Sequence, residues 1–276
     1  MHLIIQGIEV ETTDLKRIAK FGGASSIEAM TSNAFRLRGA APHADIPAYC
    51  EAAKLDYAFV PKERKLADFG LCVMDMDSTL ITIECIDEIA DMQGLKPQVA
   101  AITAAAMRGE IDFAASLRRR VELLQGLDAH ALERVYEERL RITPGAEAML
   151  ERFRAHGIKT LLVSGGFTFF TDRLKQRLNL DFAFANTLEI EDGKLLGRVI
   201  GDIVDAEGKR VALIKARESL GLQREQVLAI GDGANDLKFM AEACVSVAYH
   251  AKPIVRAQAT HAINYVNLDG MLNLFN

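Results

Sequence analysis

No stretch of this sequence approaches the ~18 consecutive apolar residues of a membrane-spanning helix. Its opening, MHLIIQGIEVETTDLKR, lacks the basic segment and apolar core of a secretion signal, so a cytoplasmic protein with no membrane partner is expected. Basic charge is not in excess: 33 Lys and Arg stand against 38 Asp and Glu, a formal net charge of -5. The clustered positive field on which nucleic-acid binding rests is therefore missing. Cysteine is scarce and scattered. Cys50, Cys72, Cys85 and Cys244 form no C-x-x-C pair and have no histidine at zinc-site spacing, so they read as reduced core thiols. Neither a G-x-G-x-x-G opening a helix after a strand nor a G-x-x-x-x-G-K-[ST] occurs, which argues against dinucleotide and P-loop chemistry.

What is present is an ordinary soluble composition, 50% hydrophobic and 26% charged, in a chain long enough for two domains. Residues 1–65 read as strand (HLIIQGI), helix (TDLKRIAKF), a hairpin (SSIEAMTS, AFRLRG), helix (DIPAYCEAAK) and strand (DYAFV). That order predicts a small ferredoxin-like α+β domain, with Pro61 to Lys65 as a charged connection. Residues 83–141 show helical patterns and no convincing strand. Phe113, Leu117, Val121 and Leu124 keep one apolar stripe, and an all-helical insertion is expected there. From 142 onward the pattern alternates: helix 145–156, strand IKTLLVS, helix 168–178, strand FAFAN, hairpin LEIEDGKLLGRVI, helix 209–220, strand VLAIGD, helix 235–242, strand VSVAY. Such alternation predicts an α/β fold, a doubly wound and mostly parallel sheet formed by 66–82 and 142–276.

Ligands in such sheets bind beyond the carboxyl ends of strands. Three apolar runs end in polar turns. LCVM runs into Asp75-Met76-Asp77-Ser78-Thr79, LLV into Ser164-Gly165-Gly166, and LAI into Gly231-Asp232-Gly233-Ala234-Asn235-Asp236. Two carboxylates one residue apart repel unless a cation or a proton sits between them, so Asp75 and Asp77 suggest a metal, acid/base work, or both. Taken alone, Asp77, Ser78 and Thr79 equally suit a turn and a helix N-cap. Ser164 and Gly165 could cradle an anion or simply connect strand to helix. Asp75 with Asp232 could hold a hard cation such as Mg2+. Lys209 is either a cation waiting for an anion or a solvated surface residue beside Arg210.

In this order, VMDMDSTL, VSGGF, a downstream lysine and AIGDGANDL resemble the four signature stretches of the haloacid-dehalogenase superfamily. With ECIDEIA, MRGEIDFAASLRRRV and FAFANTLEI added, residues 70–276 are similar to its phosphoserine phosphatase family. The resemblance implies a core carrying Asp75 as nucleophile and Asp77 as general acid and base, with Thr79 orienting Asp77. It implies Mg2+ held by Asp75, Asp232 and the carbonyl of Asp77, with Asn235 and Asp236 close by. Ser164, Gly165 and Lys209 would hold phosphoryl oxygens.

The helical insertion would act as a cap over L-phosphoserine, with Glu84 taking its ammonium, Arg120 its carboxylate, and Phe113 and Met107 closing the apolar part. Helical geometry independently favours Arg120 over Arg118 and Arg119, because only Arg120 lies beside the Phe113/Leu117/Val121 stripe. For residues 1–65 the resemblance is looser: they suggest an ACT-type domain that could take an amino-acid effector, and a homo-oligomer stays open. Rival readings are a phosphomutase or sugar phosphatase on the same core, a signalling receiver, and an amino-acid sensor.

Overall fold

The computed structural model describes residues 1–275. In chain order the elements are β1 (His2–Gly7), α1 (Thr12–Gly22), β2 (Ser26–Ala29), β3 (Ala34–Arg38), α2 (Asp45–Ala52), β4 (Leu55–Val60) and β5 (Leu71–Asp75). Four helices follow without an intervening strand, α3 (Cys85–Met92), α4 (Lys96–Met107), α5 (Phe113–Glu122) and α6 (His130–Arg134). The remainder is α7 (Ala146–Ala155), β6 (Lys159–Phe167), α8 (Thr168–Leu178), β7 (Phe182–Glu191), β8 (Lys194–Ile200), α9 (Ala206–Ser219), β9 (Val227–Gly231), α10 (Leu237–Met240), β10 (Val245–Tyr249), α11 (Pro253–Gln258) and β11 (His261–Ile263). The chain packs as two units, one of residues 1–72, 143–159 and 222 onward, the other of residues 73–142 and 160–221.

In the first unit the strand, helix, strand, strand, helix, strand order expected for residues 1–65 forms a four-stranded antiparallel sheet ordered β2-β3-β1-β4. Leu3 and Ile5 of β1 pack with Leu15, Ile18, Ile46 and Cys50 of the two helices. All six residues of β1 are nevertheless buried, because the opposite face is covered by the end of the chain. There the Asp56 carboxylate, 2% exposed, accepts the backbone N–H groups of Asn264 (2.7 Å), Tyr265 (2.9 Å) and Val266 (3.2 Å). Gln6 Oε1 accepts from Asn273 (2.7 Å), and Arg36 donates to the Phe275 carbonyl (3.1 Å). Strand β10 runs parallel to both β9 and β11, and β9 delivers the turn at 231–236.

In the second unit β5, β6, β7 and β8 are neighbours in that order. Strand β6 pairs with β7 in parallel and β7 with β8 antiparallel. The mostly parallel α/β architecture is therefore as expected, and every residue of β5 is buried, as a strand covered on both faces requires. FAFAN and the first arm of the hairpin were expected as separate strands. They form one, β7, because FAFANTLEIE contains no glycine or proline to turn the chain. Helix α9 starts at Ala206 rather than 209, capped by Asp205, whose Oδ1 accepts from Glu207 and Gly208 N–H (both 2.9 Å). The strand β11, three residues long, is too short to leave a periodic signal. Among the described residues no helix is long and apolar enough to cross a membrane.

Candidate active site

Asp75 ends β5 with its side chain buried, Oδ1 accepting the Met76 N–H (2.7 Å). Lys209, in the first turn of α9 and only 1% exposed, places its Nζ 2.7 Å from the same oxygen. The structure thus resolves the choice left open for Lys209: it is a buried cation paired with a carboxylate. Such pairs persist inside a protein only when geometry and added hydrogen bonds offset the desolvation of both ions.

Asp77 stands in a different setting. It is half-buried; Oδ1 accepts the Cys85 N–H (2.8 Å) and Oδ2 accepts the Ser164 hydroxyl (3.3 Å). Burial, followed by the charge of nearby Glu84, pushes its pKa up to about 7, against the pull of the Cys85 hydrogen bonds and Lys209. Directly after Asp77, Ser78 adopts the left-handed region at φ 56, uncommon for a residue with a side chain, and its hydroxyl donates to Glu84 Oε1 at 2.7 Å. Thr79 is fully buried behind this turn.

Ser164, fully buried, lies inside β6, which continues through Gly165 and Gly166 to Phe167 instead of ending at Val163, and accepts the Gly166 N–H on Oγ (2.8 Å). Phe113 opens α5, and its ring lies so close to Gly165 that a Cβ there would stand 2.7 Å from Cζ, so any larger residue would have to displace the ring. Along α5, Leu117 and Val121 are buried and Arg118 and Arg119 exposed, while Arg120 is half-buried with a buried Nε that has no hydrogen-bond partner. The facial argument made from the sequence holds. Burial lowers the Arg120 pKa, while Asp87, Glu84 and Asp77 support its charge. Met107, at the end of α4, is 71% exposed, and Val99 is the buried residue of that helix.

In the turn after β9, Asp236 is fully buried and its Oδ2 accepts the N–H groups of Asp232 (3.1 Å) and Gly233 (3.0 Å). This bond pattern fixes the direction of the half-buried Asp232. Asn235, also half-buried, folds its Oδ1 back over Gly233. The turn offers the carboxylates of Asp232 and Asp236 as donors for a metal ion, and anionic oxygen donors without sulfur or imidazole fit a hard divalent cation.

Two residues escaped the sequence reading. Asn186, 1% exposed in β7, donates from Nδ2 to the Gly165 carbonyl (2.8 Å) and accepts the Val204 N–H on Oδ1 (2.8 Å). It ties the Ser164-Gly165 stretch of β6 to the segment that leads into Lys209. Its signal was an asparagine inside a strand run, where that residue is disfavoured. Asp87, half-buried on α3, is the carboxylate with the largest electrostatic effect on Arg120, and burial raises its own pKa while Arg120 pulls it down. Asn186→Ala leaves the Gly165 carbonyl and the Val204 N–H without these partners, and stability is expected to fall by about 1 to 3 kcal/mol. Urea denaturation checks this, and an unchanged midpoint would show that the tie is dispensable.

Residues 69–243 match the haloacid dehalogenase-like hydrolase family, and residues 3–46 match a domain of unknown function, DUF4072. A phosphoserine phosphatase of a Polaromonas species is 54% identical over 215 residues, which are 76% of this chain and 91% of that protein. Among solved structures, a probable phosphoserine phosphatase from Vibrio cholerae in unliganded form is similar with a TM-score of 0.87 at 37% identity, covering 99% of this chain and 85% of the other. A phospho-aspartyl intermediate analogue of phosphoserine phosphatase is similar with a TM-score of 0.70 at 37% identity, covering 78% of this chain and all of the other, 100%. Both the family model and the identity to proteins matched over most of their length place the chain: it belongs to the phosphoserine phosphatase family of the haloacid dehalogenase-like hydrolases.

Proposed function

We propose that this protein hydrolyses L-phosphoserine to L-serine and phosphate, the last step of serine synthesis, through an aspartyl-phosphate on Asp75. The observation that carries the reading is the opposite setting of two carboxylates one residue apart: Asp75 is paired with a buried ammonium, and Asp77 is anchored by an N–H and a hydroxyl beside a second carboxylate. The first is suited to stay ionised and attack. The second is suited to hold a proton.

Asp75 attacks phosphorus as the bond to the serine oxygen breaks, and Asp77 gives that oxygen its proton. Asp77 then takes a proton from the water that attacks the aspartyl-phosphate, which releases phosphate and restores Asp75. Ser164, the Gly165 N–H and Lys209 hold phosphoryl oxygens. Glu84 receives the ammonium, Arg120 the carboxylate, and Phe113 the methylene, with residues 83–141 acting as the cap on a core of 66–82 and 142–276. Mg2+ would be held by Asp75, Asp232 and the Asp77 carbonyl, with Asp236 aligning Asp232 and Asn235 nearby, and would supply charge compensation to the phosphoryl group.

The test is phosphate release from L-phosphoserine with Mg2+ and with excess chelator, beside a panel of sugar phosphates. Chelation is expected to lower the rate about a hundredfold or more, and sugar phosphates to turn over poorly. Turnover of sugar phosphates alone would overturn Glu84 and Arg120 as the clamp, and no turnover of any phosphate would move a receiver or sensor role forward. An amino-acid effector at residues 1–65 belongs to the same reading. Serine titrated calorimetrically into a Glu84→Gln/Arg120→Ala variant, whose catalytic clamp is removed, is expected to return heat; none would remove the effector. A cytoplasmic setting accords with four free thiols, and cell fractionation checks it.

A further inference from the structure

Helix α5 has two working sides. Phe113, Leu117 and Arg120, spaced i, i+4, i+7, share the side whose Phe113 ring meets Gly165. Arg118 and Glu122, with Gln125 just beyond the helix, continue another side, about 140° around the axis. The β7–β8 hairpin stands against that second side. Gly126 N–H donates to the Leu195 carbonyl (2.8 Å), Leu195 N–H to the Leu127 carbonyl (2.9 Å), and Ala129 N–H to the Gly193 carbonyl (2.8 Å). Asp128 and Lys194 face each other as an antiparallel bridge, and Leu195 is 1% exposed. The chain leaving α5 is thus bonded to the hairpin as a short extra strand.

Gly197 makes the approach close. It sits at φ 71, and a Cβ there would lie 2.9 Å from Gln125 Cβ and 3.2 Å from the Glu122 carbonyl oxygen. Glu122 is two residues from Arg120. Among the described residues no ion pair or hydrogen bond tethers the Arg120 guanidinium, and its Nε is buried without a partner. A side chain without a tether is placed by its helix. This helix is held at its start by Phe113 on Gly165 and at its end by the hairpin.

We propose that the β7–β8 hairpin is a specificity-determining element, and that Gly197 is a positioning residue which seats the end of α5 and thereby sets where Arg120 meets the substrate. The proposal rests on the reading of Arg120 as the partner of the substrate carboxylate. The phosphoryl group is gripped by Ser164, Gly165 and Lys209, none of which lies on α5. With the start of α5 held by Phe113 on Gly165, a shift confined to the end of the helix penalises most a substrate that uses Arg120, and a guanidinium–carboxylate pair loses much of its value when shifted by about 1 Å.

Gly197→Ala is tested with L-phosphoserine and with phosphoethanolamine, which keeps the phosphate and the ammonium but has no carboxylate. The KM for phosphoserine is expected to rise about tenfold with kcat little changed, while kcat/KM for phosphoethanolamine stays within about twofold of wild type. Adding Gln125→Gly, which removes the Cβ that the new methyl meets, is expected to recover part of the loss. If Gly197→Ala does not fold, Ala129→Pro replaces it: residue 129 already has φ -61, so proline removes one hairpin bond without adding bulk, and the same selective rise in KM is expected at about threefold. Equal loss on both substrates, or no change on either, overturns the proposal. Arg120→Ala separates the two levels of the argument. If it leaves the preference for phosphoserine intact, the Arg120 reading and the proposal both fall; if it collapses the preference while the hairpin variants do not, only the seat is refuted.

Discussion

Asp75→Asn is expected to release phosphate at less than about one thousandth of the wild-type rate, because the substitution removes the nucleophile and keeps its shape. The amide oxygen can still accept the Met76 N–H now bonded to Asp75 Oδ1, so the turn after β5 should keep its course and the circular dichroism spectrum should match wild type. Stability is a separate matter. Lys209 is 1% exposed, and facing an amide its ammonium loses a carboxylate at 2.7 Å. The urea midpoint is therefore expected to fall, by a stability of about 1 to 3 kcal/mol. Single-turnover phosphate release beside denaturation curves separates the two effects. Residual turnover at a few per cent of wild type would show that another group attacks phosphorus.

Lys209→Met is expected to be more damaging to the fold and nearly as damaging to turnover. Methionine fills a similar volume without charge, which leaves the Asp75 carboxylate buried and deprived of its ammonium. Breaking a buried pair from one side costs about 3 to 5 kcal/mol, and losing a preorganised cation at the phosphoryl group costs about 10² to 10³ in rate. A double-mutant cycle gives the sharper result. Because the damage from each single change is largely an orphaned charge, Asp75→Asn/Lys209→Met should be more stable than the sum of the two losses, with a coupling of about 1 to 3 kcal/mol. Urea denaturation with chelator present, so that no bound cation masks the carboxylate, measures it. Additivity within about 0.5 kcal/mol would mean that the pair contributes nothing specific.

Much of this architecture was legible because its signals are local. The five buried residues of β5 were a continuous apolar run, and the order of elements in residues 1–65 and the helical character of α3–α6 followed from periodicity and turn residues. Arg120 could be chosen from three consecutive arginines because one helical turn separates inward from outward positions. What was not legible depends on contacts distant in sequence. Met107 was placed at the pocket by resemblance, and the structure leaves it at the end of α4, largely exposed. Asn186 drew no reading within its strand run, and only its two hydrogen bonds, to Gly165 and Val204, give it a place.

By itself the sequence determined that apolar runs lead into polar stretches bearing Asp75, Asp77, Ser164 and Asp232, since strand, turn and cap preferences act over a few residues. Only the tertiary structure decided what each charge faces: Asp75 an ammonium from the start of α9, Asp77 an N–H, a hydroxyl and a neighbouring anion, and Arg120 the charges of Asp87, Glu84 and Asp77 with no hydrogen bond to its buried Nε among the described residues. The division follows from the range of the forces. Backbone preferences are set by adjacent residues, whereas the charge state and reactivity of a carboxylate depend on burial and on partners that only folding brings within a few ångströms.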